Sequence, residues 1–191
     1  MIKHILLLLL LSNISFADSL DSSNFKGVST FGLAFGGEDL LIRTDGQELT
    51  TAGLIYLAGG TNYSIPETDF QVQASLGYNF DSLESSSGTH RFNELSAELI
   101  TYYNITEKMK IGLGLFHVLS AKLSGSVFPS EFGDSTGTII EVIWKIGHRS
   151  GWGLRHINVD LSFDTVNGID VSSSNVDIDG SYTAIVSQHY F

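Results

Sequence analysis

Cysteine is absent from this 191-residue sequence, and proline occurs only twice. Without cysteine, no disulfide can stabilise the fold and no lipid can be attached to a cysteine as an anchor. Basic residues are scarce as well, because 10 lysines and arginines stand against 21 acidic residues, for a formal net charge of −11. So acidic a chain is a poor nucleic-acid binder. Beyond the first residues no run of 18 apolar residues occurs, so no transmembrane helix is predicted.

The first 17 residues have the pattern of a secretory signal peptide. Lys3 precedes the leucine run Leu6–Leu11, and Ser15-Phe16-Ala17 fits the small-x-small cleavage pattern. We therefore expect residues 1–17 to be cleaved and residues 18–191 to form a single domain.

What the sequence does contain is two-residue alternation of apolar and polar side chains, together with 20 glycines. This period is typical of β-strands, and helical periodicity is essentially absent. In the predicted strand Trp152–Phe163 the apolar residues change from one face to the other near Arg155–His156, which predicts a β-bulge there. The eight predicted strands are about Val28–Gly36, Thr50–Tyr63, Phe70–Phe80, Phe92–Tyr103, Lys108–Leu123, Thr136–Gly147, Trp152–Phe163 and Ser181–Phe191.

The connections between these strands alternate in length. Those after strands two, four and six are short, whereas Asp81–His90, Ser124–Ser135 and Thr165–Gly180 are long and polar. This alternation is typical of transmembrane β-barrels, and an even strand number places both termini at the short-turn, periplasmic end, with the long loops outside the cell. Six aromatic residues near the short turns are predicted to form an interfacial girdle: Tyr102, Tyr103, Trp144, Trp152, Tyr190 and Phe191.

The layout resembles the small eight-stranded outer-membrane barrels, the group that includes OmpX, the transmembrane domain of OmpA and OmpW-like proteins. The phrases Ile111-Gly-Leu-Gly-Leu115 and Trp152-Gly-Leu-Arg155 and the terminal Phe191 carry this resemblance. It implies an all-β, closed, eight-stranded, antiparallel, up-and-down transmembrane β-barrel. It also implies that Phe191 belongs to the signal read by the barrel-assembly machinery. The sequence departs from the group at His189, where an aromatic residue is usual.

Inside such a barrel we expect a packed polar and ionic filling. Eight strands enclose a space that side chains nearly fill, and the apolar face must meet lipid. Buried charges need partners, so we predict an interior salt-bridge network, with a proton or solute path as the alternative. The residues assigned to the lumen are Glu94, Glu98, Lys110, Glu141, Lys145 and Arg155.

The turns suggest which of these residues face one another. Pairing Asn104 with Lys108 would place Tyr102 opposite Lys110, and Glu98 opposite Gly114. Pairing Gly147 with Gly151 would place Arg155 diagonal to Glu141, within reach of a long side chain.

Catalytic and metal motifs are weak. His148-Arg149-Ser150 matches the His-x-Ser pair of lipid A acyl hydrolase barrels. It falls in a short turn that is predicted to be periplasmic, far from the lipid A of the outer leaflet, so a chance match is favoured. His117 and Ser120 would point to opposite faces of a regular strand. The acidic loop lacks calcium-ligand spacing, although weak bridging of divalent ions to lipopolysaccharide stays open. Its carboxylates are Asp164, Asp170, Asp177 and Asp179. No metal, cofactor or catalytic residue is therefore assigned.

Three functions remain, in decreasing order of preference. The first is a non-catalytic outer-membrane barrel with a structural or surface-interaction role played by its loops. The second is a conduit for small apolar solutes, and the third is a lipid A-modifying barrel enzyme. The expected partners are outer-membrane lipid and lipopolysaccharide, with the assembly machinery during biogenesis, and no nucleic acid.

Overall fold

Eight long antiparallel strands form a closed barrel. The computed structural model describes residues 24–42, 46–85, 88–125, 128–174 and 176–191, so the predicted signal peptide lies outside the described residues. Each strand pairs with its neighbours in the chain, and β8 pairs with β1 to close the ring. The predicted fold class is therefore confirmed. The barrel strands are β1 (Phe25–Gly36), β2 (Ile55–Ser64), β3 (Phe70–Ser85), β4 (Gly88–Thr106), β5 (Met109–Ser124), β6 (Ser135–Lys145), β7 (Ser150–Asn158) and β8 (Tyr182–Tyr190).

The two ends of the barrel differ in their connections. Short links join β2 to β3, β4 to β5 and β6 to β7 at one end, which we call the turn end. The opposite end, the loop end, carries the other links, whose described residues form six short strands and one turn of 3-10 helix, Ser172–Ser174. No helix among the described residues is long and apolar enough to cross a membrane. The short strands are Asp39–Ile42, Glu48–Thr50, Ser130–Phe132, Asp160–Val166, Ile169–Asp170 and Asp177–Asp179.

Outward-facing side chains of the barrel are mostly apolar and exposed. Examples are Leu57, Leu76, Leu95, Leu99, Leu113, Leu115, Ile140, Leu154 and Ile185. Near the turn end, Trp144 on β6 pairs directly with Trp152 on β7, and the Phe70 and Tyr103 rings lie 5.1 Å apart. These rings occupy the place of the predicted girdle.

Two members of the predicted girdle face inward instead. Tyr102 is fully buried in the lumen, and the Tyr190 hydroxyl bonds to the luminal Gln188. The reason is strand alternation, because Tyr102 and Tyr103 are consecutive and only one of them can face outward.

The predicted bulge at Arg155–His156 is wrong. β7 pairs with β6 in unbroken register from Gly151 to Asn158, so Arg155 and Ile157 both face the lumen. The change from polar to apolar residues along this face reflects a lumen that becomes apolar toward the loop end.

A bulge occurs instead in β5, where Leu119 is the extra residue between the pairs Leu95–Ser120 and Ser96–Val118. Beyond it the faces exchange, so Lys122, which simple alternation assigns to the polar inner face, points outward. It forms an exposed ion pair there with Glu131.

The observed pairings are shifted from those predicted from the turns. Asn104 pairs with Lys110 rather than Lys108, and Lys145 rather than Gly147 pairs with Gly151. Both turns are therefore wider than predicted, and the first includes an irregularity between Asn104 and Thr106. The resulting cross-strand pairs are Tyr102 with Gly112, Glu98 with Phe116, and Arg155 with Glu141.

Candidate functional site

The centre of the lumen is organised around Arg155, which β7 directs inward and which is completely buried. Its Nη1 donates to both carboxylate oxygens of Glu98 at 3.1 Å, and its Nη2 donates to Glu141 Oε2 at 3.1 Å. Tyr56 donates its hydroxyl hydrogen to Glu98 and accepts a hydrogen bond from Arg155. One guanidinium thus lies between two buried carboxylates that come from two other strands.

Neutral donors complete the shell around the two carboxylates. Tyr102 donates to Glu141 at 2.7 Å, and Gln188 Nε2 donates to the other oxygen of Glu141 at 3.1 Å. Ser75 donates to Glu98 at 3.1 Å. Buried charges are costly unless they are paired and hydrogen-bonded, and this arrangement gives both carboxylates a cation and neutral donors.

The two lysines assigned to the lumen contact neutral groups. Lys110 is buried, with its Nζ 2.5 Å from the Tyr190 hydroxyl and 3.4 Å from the centre of the Tyr102 ring. Lys145 donates to Asn104 Oδ1 at 2.8 Å, close to the turn end. The structure therefore brings Arg155 together with its two carboxylates, and keeps both lysines apart from them.

Glu94 is the sixth residue assigned to the network, and it lies on the loop-end side of the others. It is completely buried, and neither carboxylate oxygen has a hydrogen-bond partner among the described residues. Its neighbours on the adjoining strands are Asn79 and Ala121. The predicted network thus does not extend to Glu94.

Beyond Glu94 the lumen is mostly apolar, although His90 and Thr51 are also buried there. The sequence patterns did not predict this apolar region. The hairpin between β1 and β2 contributes Leu49 and Ala52, which are completely buried. The barrel and the other loops supply the rest of this cluster, which includes Leu83, Phe92, Leu123, Phe132, Val159 and Leu161. Regular alternation after Arg155 would predict that Ile157 faces the lumen. Because the sequence predicts a bulge at Arg155, the apolar residues after it are assigned to the lipid face instead.

A small hydrogen-bond latch fixes the β1–β2 hairpin to the loop before β8. Thr51 Oγ1 donates to the Asp179 carbonyl at 2.7 Å and accepts from the Glu38 amide at 2.8 Å. The Asp179 amide in turn donates to the Glu38 carboxylate at 3.1 Å.

The weak catalytic motifs have structural partners. Ser150, the first residue of β7, donates its Oγ hydrogen to the Ile146 carbonyl at 2.9 Å, across the short turn that contains His148. His117 Nδ1 lies 2.9 Å from Thr136 Oγ1. The β5 bulge brings His117 and Ser120 to the same outer face, contrary to the prediction, yet the ring bonds to Thr136 and not to Ser120.

In the acidic loop, Asp170 and Asp179 accept hydrogen bonds from nearby serine residues. Hydrogen bonds from the hydroxyl and amide of Ser172 lower the pKa of Asp170, and those from Ser181 lower the pKa of Asp179. Within the described ranges, no cluster of three histidine or acidic side chains is arranged to hold a metal ion.

Comparison with known proteins supports the fold. No protein-family model and no curated protein matches the sequence. The structure resembles Neisserial surface protein A (NspA), with a TM-score of 0.53 and 14% identity over 88% of this chain and 98% of that chain. Ail, the attachment invasion locus protein of Yersinia pestis, solved in complex with the heparin analogue sucrose octasulfate, gives a TM-score of 0.49 and 14% identity over 87% and 96% of the two chains. The resemblance to small eight-stranded outer-membrane barrels is thereby confirmed for the fold.

Proposed function

We propose that this protein is a non-catalytic barrel of the bacterial outer membrane, with a lumen closed by side chains and loops that serve a structural or surface-interaction role. The observation that carries the proposal is the reversal of the usual pattern of burial. Arg155, Glu98 and Glu141 are buried, whereas Leu76 and Leu113 on the outer wall are exposed. A water-soluble barrel would gain from the opposite arrangement, but hydrocarbon favours this one.

We propose the orientation of this protein in the membrane by analogy with outer-membrane barrels. Short turns lie on the periplasmic side in outer-membrane barrels, and long loops lie outside the cell. We therefore assign the turn end, with both barrel termini, to the periplasm and the loop end to the cell surface. The outer wall would meet lipid and lipopolysaccharide, and Phe191 would be read by the assembly machinery.

A surface role is supported by the loop end. The latch at Thr51 and the pairing of Ser130–Phe132 with Asp160–Val166 give the loops a defined shape instead of a loose coil. NspA, which shares the fold, is by its name a surface protein. Shaped loops above a closed lumen favour contact with other molecules over transport through the barrel.

The conduit and enzyme hypotheses receive less support. The contact of Arg155 with Glu98 crosses the lumen, and the apolar cluster fills it at the loop end. Ser150 and His117 are each engaged by groups that do not belong to a catalytic pair.

Fractionation and gel migration test the membrane assignment. We expect the protein in the outer-membrane fraction, and we expect its migration to change when the sample is heated, as folded barrels unfold only then. Recovery from the soluble periplasm would contradict the proposal.

Planar-bilayer recordings and lipid analysis test the closed lumen and the lack of catalysis. We expect no steady conductance and no uptake of apolar solutes by liposomes, and unchanged lipid A mass in cells that express the protein. Steady conductance or solute uptake would favour a conduit, and a mass change abolished by Ser120→Ala or Ser150→Ala would favour an enzyme.

A further inference from the structure

A polar cavity of about 260 Å³ lies at the turn end, below the Arg155 network. It opens between the β4–β5 and β6–β7 turns, where Glu107 and His148 are exposed. This volume has room for a small polyatomic ion together with several waters. Its wall includes Lys26, Asn62, Gln71, Lys110, Lys145 and Tyr190.

Three of the ten basic residues of an otherwise acidic chain line this one cavity. Lys26, Lys110 and Lys145 come from three different strands, β1, β5 and β6, so their proximity is a product of the fold. Among the described residues none of these three ammonium groups forms an ion pair, since the ion pairs found there involve Lys122 and Arg155. The described wall of the cavity therefore carries three ammonium groups and one carboxylate, that of Glu107.

Lys110 is the deepest of the three, and its ammonium group has spare hydrogen-bonding capacity. It carries three N–H donors, of which one is used by the Tyr190 hydroxyl and another lies over the Tyr102 ring. Tyr190 donates its own hydrogen to Gln188, which fixes its oxygen as the acceptor for the lysine. One donor of a buried cation is thus left for the cavity.

The other lining groups add donors around the same space. Lys145 uses one N–H on Asn104 and keeps two. Asn62 and Gln71 bring neutral amide N–H groups, and Ser64 brings a hydroxyl. Glu107 is the carboxylate among the described lining residues, and it lies exposed at the mouth instead of beside Lys110.

We propose that this cavity is a binding site for a tetrahedral oxyanion of the phosphate class, either free in solution or as the phosphate of a lipid headgroup. Lysine ammonium groups bind phosphate as point charges, and a partly enclosed site strengthens their attraction for a dianion. The site does not depend on which side of a membrane the turn end faces, so it stands or falls separately from the proposed function.

Equilibrium dialysis with radiolabelled inorganic phosphate tests the site in the folded protein in a maltoside detergent, which contributes no phosphate. We expect saturable binding of one phosphate per chain at constant ionic strength, maintained with sodium chloride. Lys110→Met and Lys145→Met should each weaken it about tenfold or more, a change that corresponds to about 1.4 kcal/mol. Lys122→Gln, at the loop end, should bind as the unaltered protein does.

Two further measurements make the result decisive. Heat-dependent gel migration identifies variants that fail to fold, and Lys26→Met then replaces any of them as a test of the same cavity. Added phosphatidylglycerol should compete with the labelled phosphate if a headgroup is the natural occupant, and should leave binding unchanged if the free ion is. Binding that never saturates, or that is equal in the Lys110→Met and Lys122→Gln proteins, would overturn the proposal.

Discussion

Arg155 and Glu98 lie 57 positions apart in the sequence, yet Arg155 Nη1 is 3.1 Å from both carboxylate oxygens of Glu98. Their strands, β7 and β4, are separated in the barrel wall by β5 and β6, so the contact runs through the lumen. Glu141, directly opposite Arg155 on β6, holds the other guanidinium nitrogen. Arg155 therefore joins two carboxylates from different strands at the centre of the lumen.

Replacing Arg155 with methionine should destabilise the barrel strongly. Methionine keeps much of the volume but leaves the Glu98 and Glu141 carboxylates buried together without a cation. Breaking a buried ion pair by removing one partner costs about 3–5 kcal/mol. Urea unfolding of the protein refolded in lipid vesicles measures the difference in the free energy of unfolding.

Two further variants make the Arg155 experiment specific. Arg91→Met removes an exposed arginine from β4 and should change the free energy of unfolding by less than about 0.5 kcal/mol. Adding Glu98→Gln and Glu141→Gln to Arg155→Met should recover part of the loss, because neutral amides tolerate burial better than unpaired carboxylates. No recovery would mean that Arg155 stabilises the barrel by packing and not by charge.

Leu113 and Ile146 offer a matched pair for testing whether the outer wall meets lipid. Both are 60% exposed, but Leu113 lies inside β5, four residues beyond its first residue, and Ile146 follows the end of β6 at the turn end. In a membrane, Leu113→Arg should cost about 2–4 kcal/mol and Ile146→Arg only about 0–1 kcal/mol. The free energy of unfolding in vesicles measures both, and equal, near-zero costs would indicate a water-exposed wall.

Gly112 and Gly59 offer a second matched pair, inside and outside the barrel. A Cβ atom on Gly112 would lie 2.6 Å from the Tyr102 ring, whereas one on Gly59 would meet nothing within 4 Å. Gly112→Ala should therefore displace Tyr102 from Glu141 and cost about 1–3 kcal/mol, as overpacked cores do. Gly59→Ala should be neutral or slightly stabilising in the same urea titration. Equal effects would show that Tyr102 is free to move aside.

Several features can be predicted from the sequence because they depend on local alternation. That pattern locates all eight barrel strands, although it extends the seventh beyond Asn158 into the separate strand Asp160–Val166. The inward direction of Glu98, Glu141 and Arg155 follows from parity alone. Register cannot be predicted, since it depends on turn width, and a wider turn moves Arg155 from a diagonal position to one directly opposite Glu141. Chain positions also do not reveal that Leu49 folds into the lumen, because that placement depends on loop packing.

The bulge in β5 shows a second limit of sequence reasoning. In a mostly apolar run such as Leu115–Leu119, the sequence does not show which residue is the extra one of a bulge. In β7, by contrast, the sequence pattern is compatible with a bulge at Arg155 that the structure does not contain. Only the partner strand decides between them, through the pairing of Ser96 with Val118. Simple alternation assigns Lys122 to the wrong face for this reason.

Acid should loosen the loop that precedes β8. The Ser181 hydroxyl and amide lower the pKa of Asp179, so the carboxylate form is favoured in the folded loop. This contribution is present above the ordinary aspartate pKa of about 3.9 and is lost as the pH falls through the lower folded pKa. The Ser181 amide donates to Asp179 Oδ1 at 2.8 Å, so its protection against hydrogen exchange, relative to the intrinsic rate at each pH, should fall in this pH range. In Asp179→Asn the same amide should show no such transition.

The structural contacts of Phe191 can be separated by experiment from the role in assembly that we propose for it. Its backbone N–H donates to the Gly27 carbonyl at 3.0 Å and its carbonyl accepts from the Gly27 amide at 2.8 Å, while its ring covers Gly27. Phe191→Ala keeps both backbone hydrogen bonds. The free energy of unfolding of the protein refolded in detergent should therefore change by no more than about 0.5–1 kcal/mol, as for an exposed side chain. If the ring is read by the assembly machinery, the amount of folded protein in the outer membrane of cells should nevertheless fall severalfold. Phe25→Ala is the matched control, because Phe25 lies at the same end of the barrel and is 59% exposed, compared with 52% for Phe191. Equal losses in cells for the two variants, or a loss in detergent as large as that in cells, would reduce Phe191 to a packing residue.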